Sequence, residues 1–158
     1  MTVVAWRIVH RRFAKDAFTG EGARRFGGRW NSPGHAVIYT AQSLALAVLE
    51  ILVHVDSETL LQNYVAIPAT IDEHLIVSIQ ESRLPNNWRA YPTARPTQAI
   101  GDEWLAQGDS LVLRVPSAVI PEESNFLINP SHKDCPRRFK RAAVSPVWPA
   151  SVDVKFQG

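Results

Sequence analysis

Phe26-Gly27-Gly28-Arg29-Trp30-Asn31-Ser32-Pro33-Gly34, His35-Ala36-Val37-Ile38-Tyr39-Thr40-Ala41 and Gln42-Ser43-Leu44-Ala45-Leu46-Ala47-Val48-Leu49-Glu50-Ile51-Leu52-Val53-His54-Val55 follow one another without a break, and the reading of the chain turns on them. The first piece is a tight turn, glycine and proline on either side of Arg29 and Trp30. The second is a strand over Ala36 to Ala41, with Val37, Tyr39 and Ala41 on one face and Ile38 and Thr40 on the other. Ser43 suits the N-cap of a helix running to about Val55. That helix is apolar almost all round, the mark of a buried element, yet it carries Glu50. Ser43, Ala47, Glu50 and His54 fall on one stripe. Either the stripe faces water and Glu50 is merely solvated, or it faces a cleft where Glu50 is partly desolvated and its pKa tuned. Arg29 and Trp30 pose the same choice, between a hairpin tip and a functional loop.

Before this stretch, Val3 to Val9 reads as an opening strand with Arg7 near its centre. An arginine there is either solvated on the outer face or turned inward, where its fork can hold a phosphate. His10 to Gly28 is basic and glycine-rich and reads as loop. After it, Gln62 to Ile71 and Leu75 to Ile79 read as strands. Arg83 to Pro96 holds three prolines and reads as a long surface connection. Thr97, as cap, opens a helix to Gln107 that Gly108 closes. Ser110 to Ile120 is strand-like but broken by Pro116, and Ser117 follows, a residue suited to satisfying local backbone at the break. Asn125 to Asn129 reads as a short strand. Arg137, Arg138, Lys140 and Arg141 form a basic run suited to a solvated edge, and Val147 to Phe156 reads as a last strand.

At 158 residues the chain is expected to form a single domain over 1–158. Hydrophobic residues at 46% and charged ones at 20% are ordinary globular values and argue against disorder. A formal charge of +2 gives no support to a strong nucleic-acid binder or a membrane-surface protein. Cys135, the single cysteine, forbids an internal disulfide and fits a reducing cytosol, so a cytoplasmic location is expected. No apolar run nears the roughly 20 residues that span a bilayer, and Arg7 comes too early for a signal-peptide core.

Several chemistries lack their motifs. The glycines do not follow G-x-G-x-x-G, and no G-x-x-x-x-G-K-[ST] occurs. The five histidines make no H-E-x-x-H, so no metal is expected. A G-x-S-x-G elbow is missing, and nothing marks Cys135 as an activated nucleophile. What remains is Arg7, Arg29, Tyr39, Glu50 and Ser117, each at the edge of an apolar element. By itself that set names no reaction.

Gly28-Arg29-Trp30-Asn31-Ser32-Pro33-Gly34, Val37-Ile38-Tyr39, Ala47-Val48-Leu49-Glu50 with Val53-His54, Gly101-Asp102-Glu103-Trp104, Leu113-Arg114-Val115-Pro116-Ser117-Ala118-Val119 and Asn125-Phe126-Leu127-Ile128-Asn129-Pro130 together resemble the RES domain family, in order and over nearly the whole chain. The resemblance covers the Arg83 to Pro96 loop and the C-terminal tail least. It implies an α+β fold like that of ADP-ribosyltransferases: twisted, mainly antiparallel sheets packed with helices around an NAD cleft. It implies the toxin of a bacterial type II toxin–antitoxin pair, which depletes NAD⁺ by cleaving the nicotinamide–ribose bond as a glycohydrolase or phosphorylase. The alternative on the same site is a protein mono-ADP-ribosyltransferase; a more distant one is a non-catalytic nucleic-acid module built on the basic runs. Carried over by position, the catalytic set is Arg29, Tyr39, Glu50 and Ser117, with Arg7, Trp30 and Asn129 binding substrate. The implied partners are NAD⁺ as substrate and an Xre-like antitoxin that covers the site and alone touches nucleic acid. A homodimer within a larger complex is implied as well, with no cofactor beyond NAD⁺, no metal and no membrane.

Overall fold

The computed structural model describes residues 1–54, 58–135, 139–141 and 144–147. Among them run eight strands: β1 (Thr2–His10), β2 (Ile38–Ala41), β3 (Tyr64–Asp72), β4 (Ile76–Ser78), β5 (Val112–Pro116), β6 (Ser124–Ile128), β7 (Phe139–Arg141) and β8 (Ser145–Pro146). They make one sheet in the order β4-β5-β6-β2-β1-β3-β7, with β8 also on β3. Every pairing is antiparallel except β4 with β5. That parallel pair needs a crossover, and the proline-rich connection with helix α3 (Arg95–Gln107) supplies it. The fold is α+β, as expected, with a single mixed sheet among the described residues.

Alternation sets the two faces of the sheet. Ile38, Val112, Phe126 and Ile128 pack with Ala5, Ile71 and Leu111 on one side. Val37, Leu113, Val115 and Leu127 pack on the other against Trp30 and Trp104, under α3. Helix α2 (Leu44–Leu52) buries Leu46 and Ala47 against Ile8, Ala41 and Ala66. Ser43 caps it as expected, its Oγ accepting from the Leu46 N–H. The helix stops at Leu52, with Val53 as its C-cap, short of the expected end at about Val55.

Two expectations change. The basic segment before Gly28 is not wholly loop: Arg11–Asp16 forms 3₁₀ turns and Glu21–Phe26 the short helix α1. Glu21 holds both Arg24 and Arg25 across one turn, the i,i+3 and i,i+4 support that a composition reading overlooks. Thr97 does not cap α3. The helix begins at Arg95, because Pro96 fits a first turn where its missing N–H costs nothing, and Thr97 lies buried inside. Gly108 ends the helix as expected. Of the C-terminal basic run, Arg137 and Arg138 lie outside the described residues, as does the expected strand beyond Val147. No helix among the described residues is long and apolar enough to cross a membrane.

Candidate active site

The site grows from a mismatch between two strands. β1 and β2 are in register only at Trp6 and Ala41, and elsewhere they diverge. Arg7 bridges the gap: its Nη1 donates to the Tyr39 carbonyl at 3.2 Å and its Nε to Ala17 at 3.0 Å. Burial lowers its pKa to about 10, so the guanidinium stays charged at neutral pH. Beside the gap opens a cleft of about 520 Å³, lined among others by Arg7, Arg29, Tyr39, Glu50, His54 and Asn125. That volume suits a small-molecule site.

Of the stripe, Ala47, Glu50 and His54 line the cleft, His54 from its exposed rim just past α2, while Ser43 caps the helix instead. Both Glu50 oxygens have donors. Ser117 Oγ gives its proton to Oε1 at 2.8 Å, and Asn125 Nδ2 donates to Oε2 at 2.9 Å. Neither donor is free to reverse. The Ser117 oxygen already accepts from the Val119 and Ile120 N–H groups at 3.1 and 3.2 Å. The Asn125 amide also donates to the Thr40 carbonyl, which fixes which way it faces. Both carboxylate oxygens are therefore acceptors, an arrangement that suits the ionised form. Burial raises the Glu50 pKa all the same, opposed by Ser117, Asn125, His54 and Arg29. Ser117 therefore fills both roles open to it: it satisfies local backbone and orients Glu50.

Arg29 stands on the turn before β2. Its Nη1 donates to the Trp88 and Ala90 carbonyls at 2.8 and 3.0 Å, so the guanidinium grips the proline-rich loop. Burial lowers its pKa, while Tyr39 and Glu50 act to raise it. Nε and Nη2 make no hydrogen bond to the described residues, which leaves three N–H donors for a ligand. Tyr39 uses its hydroxyl on the same turn, donating to Asn31 Oδ1 at 2.6 Å and accepting from the Trp30 N–H at 3.0 Å. Desolvation raises its pKa well above the ordinary value, so it stays a phenol. A Cβ at Gly28 would come within 2.6 Å of that hydroxyl, hence the glycine.

Arg7, Arg29, Tyr39 and Glu50 thus meet at one cleft, with Ser117 behind Glu50. Trp30 touches the cleft but is 2% exposed and stacks in the core at 6.1 Å from Trp88. Asn129 is set apart from the cleft, beyond the far end of β6, where its Oδ1 accepts from the Ser131 N–H; its side chain holds a turn. Sequence reasoning missed Asn125, the second donor to Glu50, and Arg89, whose Nε donates to the Ala118 carbonyl beside Ser117. A polar residue in the apolar run of β6 was the available signal for Asn125; Arg89 had none. Among the described residues no three His, Cys, Asp or Glu gather as a metal site.

An α+β domain with a half-buried acceptor carboxylate and an arginine on one cleft defines a class of small-molecule-binding proteins. Within it the chain belongs to the RES domain family, whose sequence model matches residues 4–153. A protein of Yersinia enterocolitica described as Toxin Res is 44% identical over 131 residues, 83% of this chain and 86% of that one. The Prs ADP-ribosylating toxin of a Sphingobium species is 38% identical over 139 residues, 85% and 86% of the two chains. The crystal structure of the Mycobacterium tuberculosis MbcT–MbcA toxin–antitoxin complex is similar in fold, with a TM-score of 0.74 at 22% identity, covering 92% of this chain and 84% of that one. MbcT is described as an NAD(+) phosphorylase, and 38 residues of this chain match it at 53% identity, 23% of this chain and 20% of MbcT.

Proposed function

We propose that this chain is the toxin of a toxin–antitoxin pair and consumes NAD⁺ by cleaving the bond between nicotinamide and ribose. The observation that carries the reading is Glu50, whose two oxygens accept from Ser117 and Asn125 in a cleft it shares with Arg29. Nicotinamide leaves with the electron pair of its glycosidic bond and becomes neutral. The ribose carbon left behind is oxocarbenium-like, and a carboxylate fixed beside it stabilises the developing positive charge. An acceptor oxygen then bonds to that carbon and gives up its proton. Glu50 supplies the charge, Ser117 and Asn125 hold its orientation, and the free donors of Arg29 suit the pyrophosphate. The ring of Tyr39 walls the cleft against water, and Arg7 adds positive potential from beneath.

Glu50→Gln should lower NAD⁺ turnover by about 10²-fold or more, the range for losing one preorganised electrostatic group. The amide also presents an N–H to one of two donors that cannot turn away. NAD⁺ loss at the wild-type rate in a folded variant would remove Glu50 from the mechanism.

Identity with an ADP-ribosylating toxin favours a second reading, in which a protein side chain is the acceptor. Incubation with NAD⁺, with or without phosphate and lysate, separates the outcomes as free ADP-ribose, its phosphorylated form or modified protein. An Xre-like antitoxin over the cleft, a homodimer and a cytoplasmic site of action complete the proposal; similarity to toxins and to a toxin–antitoxin complex supports the antitoxin as partner.

A further inference from the structure

We propose that helix α3 sets where the Arg29 guanidinium sits, with Gln98, Gly101 and Asp102 as positioning residues for the turn that carries it. The proposal rests on Arg29 binding substrate, as read above. Positions 98, 101 and 102 share one helix face, and each meets the turn at a different residue around Arg29. Gln98 Nε2 donates to the Gly28 carbonyl at 3.0 Å. Gly101 lies so close to Trp30 that a Cβ there would fall 1.6 Å from the Trp30 carbonyl oxygen. Asp102 accepts from the Ser32 N–H at 3.0 Å and, through its other oxygen, from the Ser32 hydroxyl.

These contacts go beyond core packing. Glycine is a poor former of helix interiors, and its use at Gly101 lets the helix touch the backbone of the turn. Gln98 and Asp102 satisfy part-buried backbone groups on either side of Arg29, and so tie the turn itself to the helix. The far end of the Arg29 side chain refers to the same helix, because Trp88, one of its two carbonyl partners, packs in one cluster with Ile100, Trp104 and Leu105. Base and tip of the arginine are thus both measured from α3.

The decisive variants are Asp102→Ala, which frees Ser32, and Asp102→Asn, which keeps an oxygen for the Ser32 N–H and offers an N–H to the Ser32 hydroxyl. Misplacing a substrate-holding cation by about 1 Å costs up to about 10²-fold. Asp102→Ala should therefore raise the KM for NAD⁺ roughly 10- to 100-fold and change kcat far less, with Asp102→Asn restoring KM towards wild type. Hydrogen exchange adds a readout that needs no substrate: amides of residues 29–32 should exchange faster in Asp102→Ala while those of β2 and β6 do not. A wild-type KM, a fall in kcat alone, or unchanged protection of the turn overturns the proposal. If Asp102→Ala does not fold, Ser32→Ala removes only the hydroxyl bond and gives the same readings at smaller amplitude; wild-type values there also overturn it. Should the wild-type protein leave NAD⁺ intact, the functional reading falls, and exchange still decides whether α3 holds the turn.

Discussion

At Glu50, burial and hydrogen bonding pull in opposite directions, and burial wins: its pKa lies above the ordinary carboxylate value. The native state therefore holds this proton more tightly than the unfolded chain. Stability linked to Glu50 is greatest below the unfolded pKa of about 4.3 and is lost as pH rises through the raised native value. Under the proposed mechanism activity runs the other way, because it calls on the ionised form. The acid limb of kcat/KM should have its midpoint above about 4.3, and the melting temperature of Glu50→Ala should gain on wild type as pH rises across the same window. A midpoint at or below the ordinary value would contradict the tuning. Little of this was visible along the chain. Glu50 stood out as a charge in an apolar helix, but Ser117 lies 67 positions away and Asn125 lies 75 away. No local pattern joins residues so far apart; only the sheet does, by laying β6 beside β2.

Among the elements, strands were the most legible, because alternation is a local consequence of pleating. β1, β3 and β6 fall within a residue or two of their expected limits. The short helix α1 was hidden because its support comes from side-chain pairing across a single turn. The proline-rich loop read correctly as irregular, and its anchoring did not: Arg29 holds two of its carbonyls, Arg89 ties it to Ala118, and the Tyr91 ring sits 6.5 Å from that of His54. These bonds depend on distant residues, so composition carries no trace of them. Arg29→Ala should release the segment. Losing the charge-assisted bonds to the Trp88 and Ala90 carbonyls should raise the rate of tryptic cleavage after Arg89 by about tenfold, read by limited proteolysis at fixed protease. Cleavage at the wild-type rate would mean that Arg29 does not restrain the loop.

For the whole molecule, substrate binding and folding are linked. A ligand at a hundred times its Kd adds about 2.7 kcal/mol, and in a domain of this size each kcal/mol raises Tm by about 2–4 °C. Glu50→Gln keeps Arg7, Arg29 and Tyr39 in the cleft while disabling turnover, so saturating NAD⁺ should raise its Tm by roughly 5–10 °C. No shift in a folded variant would show that the cleft does not hold the dinucleotide. The order of the sheet also bears on how such a protein is made. β2 pairs on one side with β6, a strand more than eighty positions later. A growing polypeptide that has displayed its arginine turn and acidic helix still lacks the serine and asparagine that complete the centre. Under the proposed mechanism, NAD⁺ cleavage then awaits synthesis of the final third of the chain, an interval in which an inhibitor can be made.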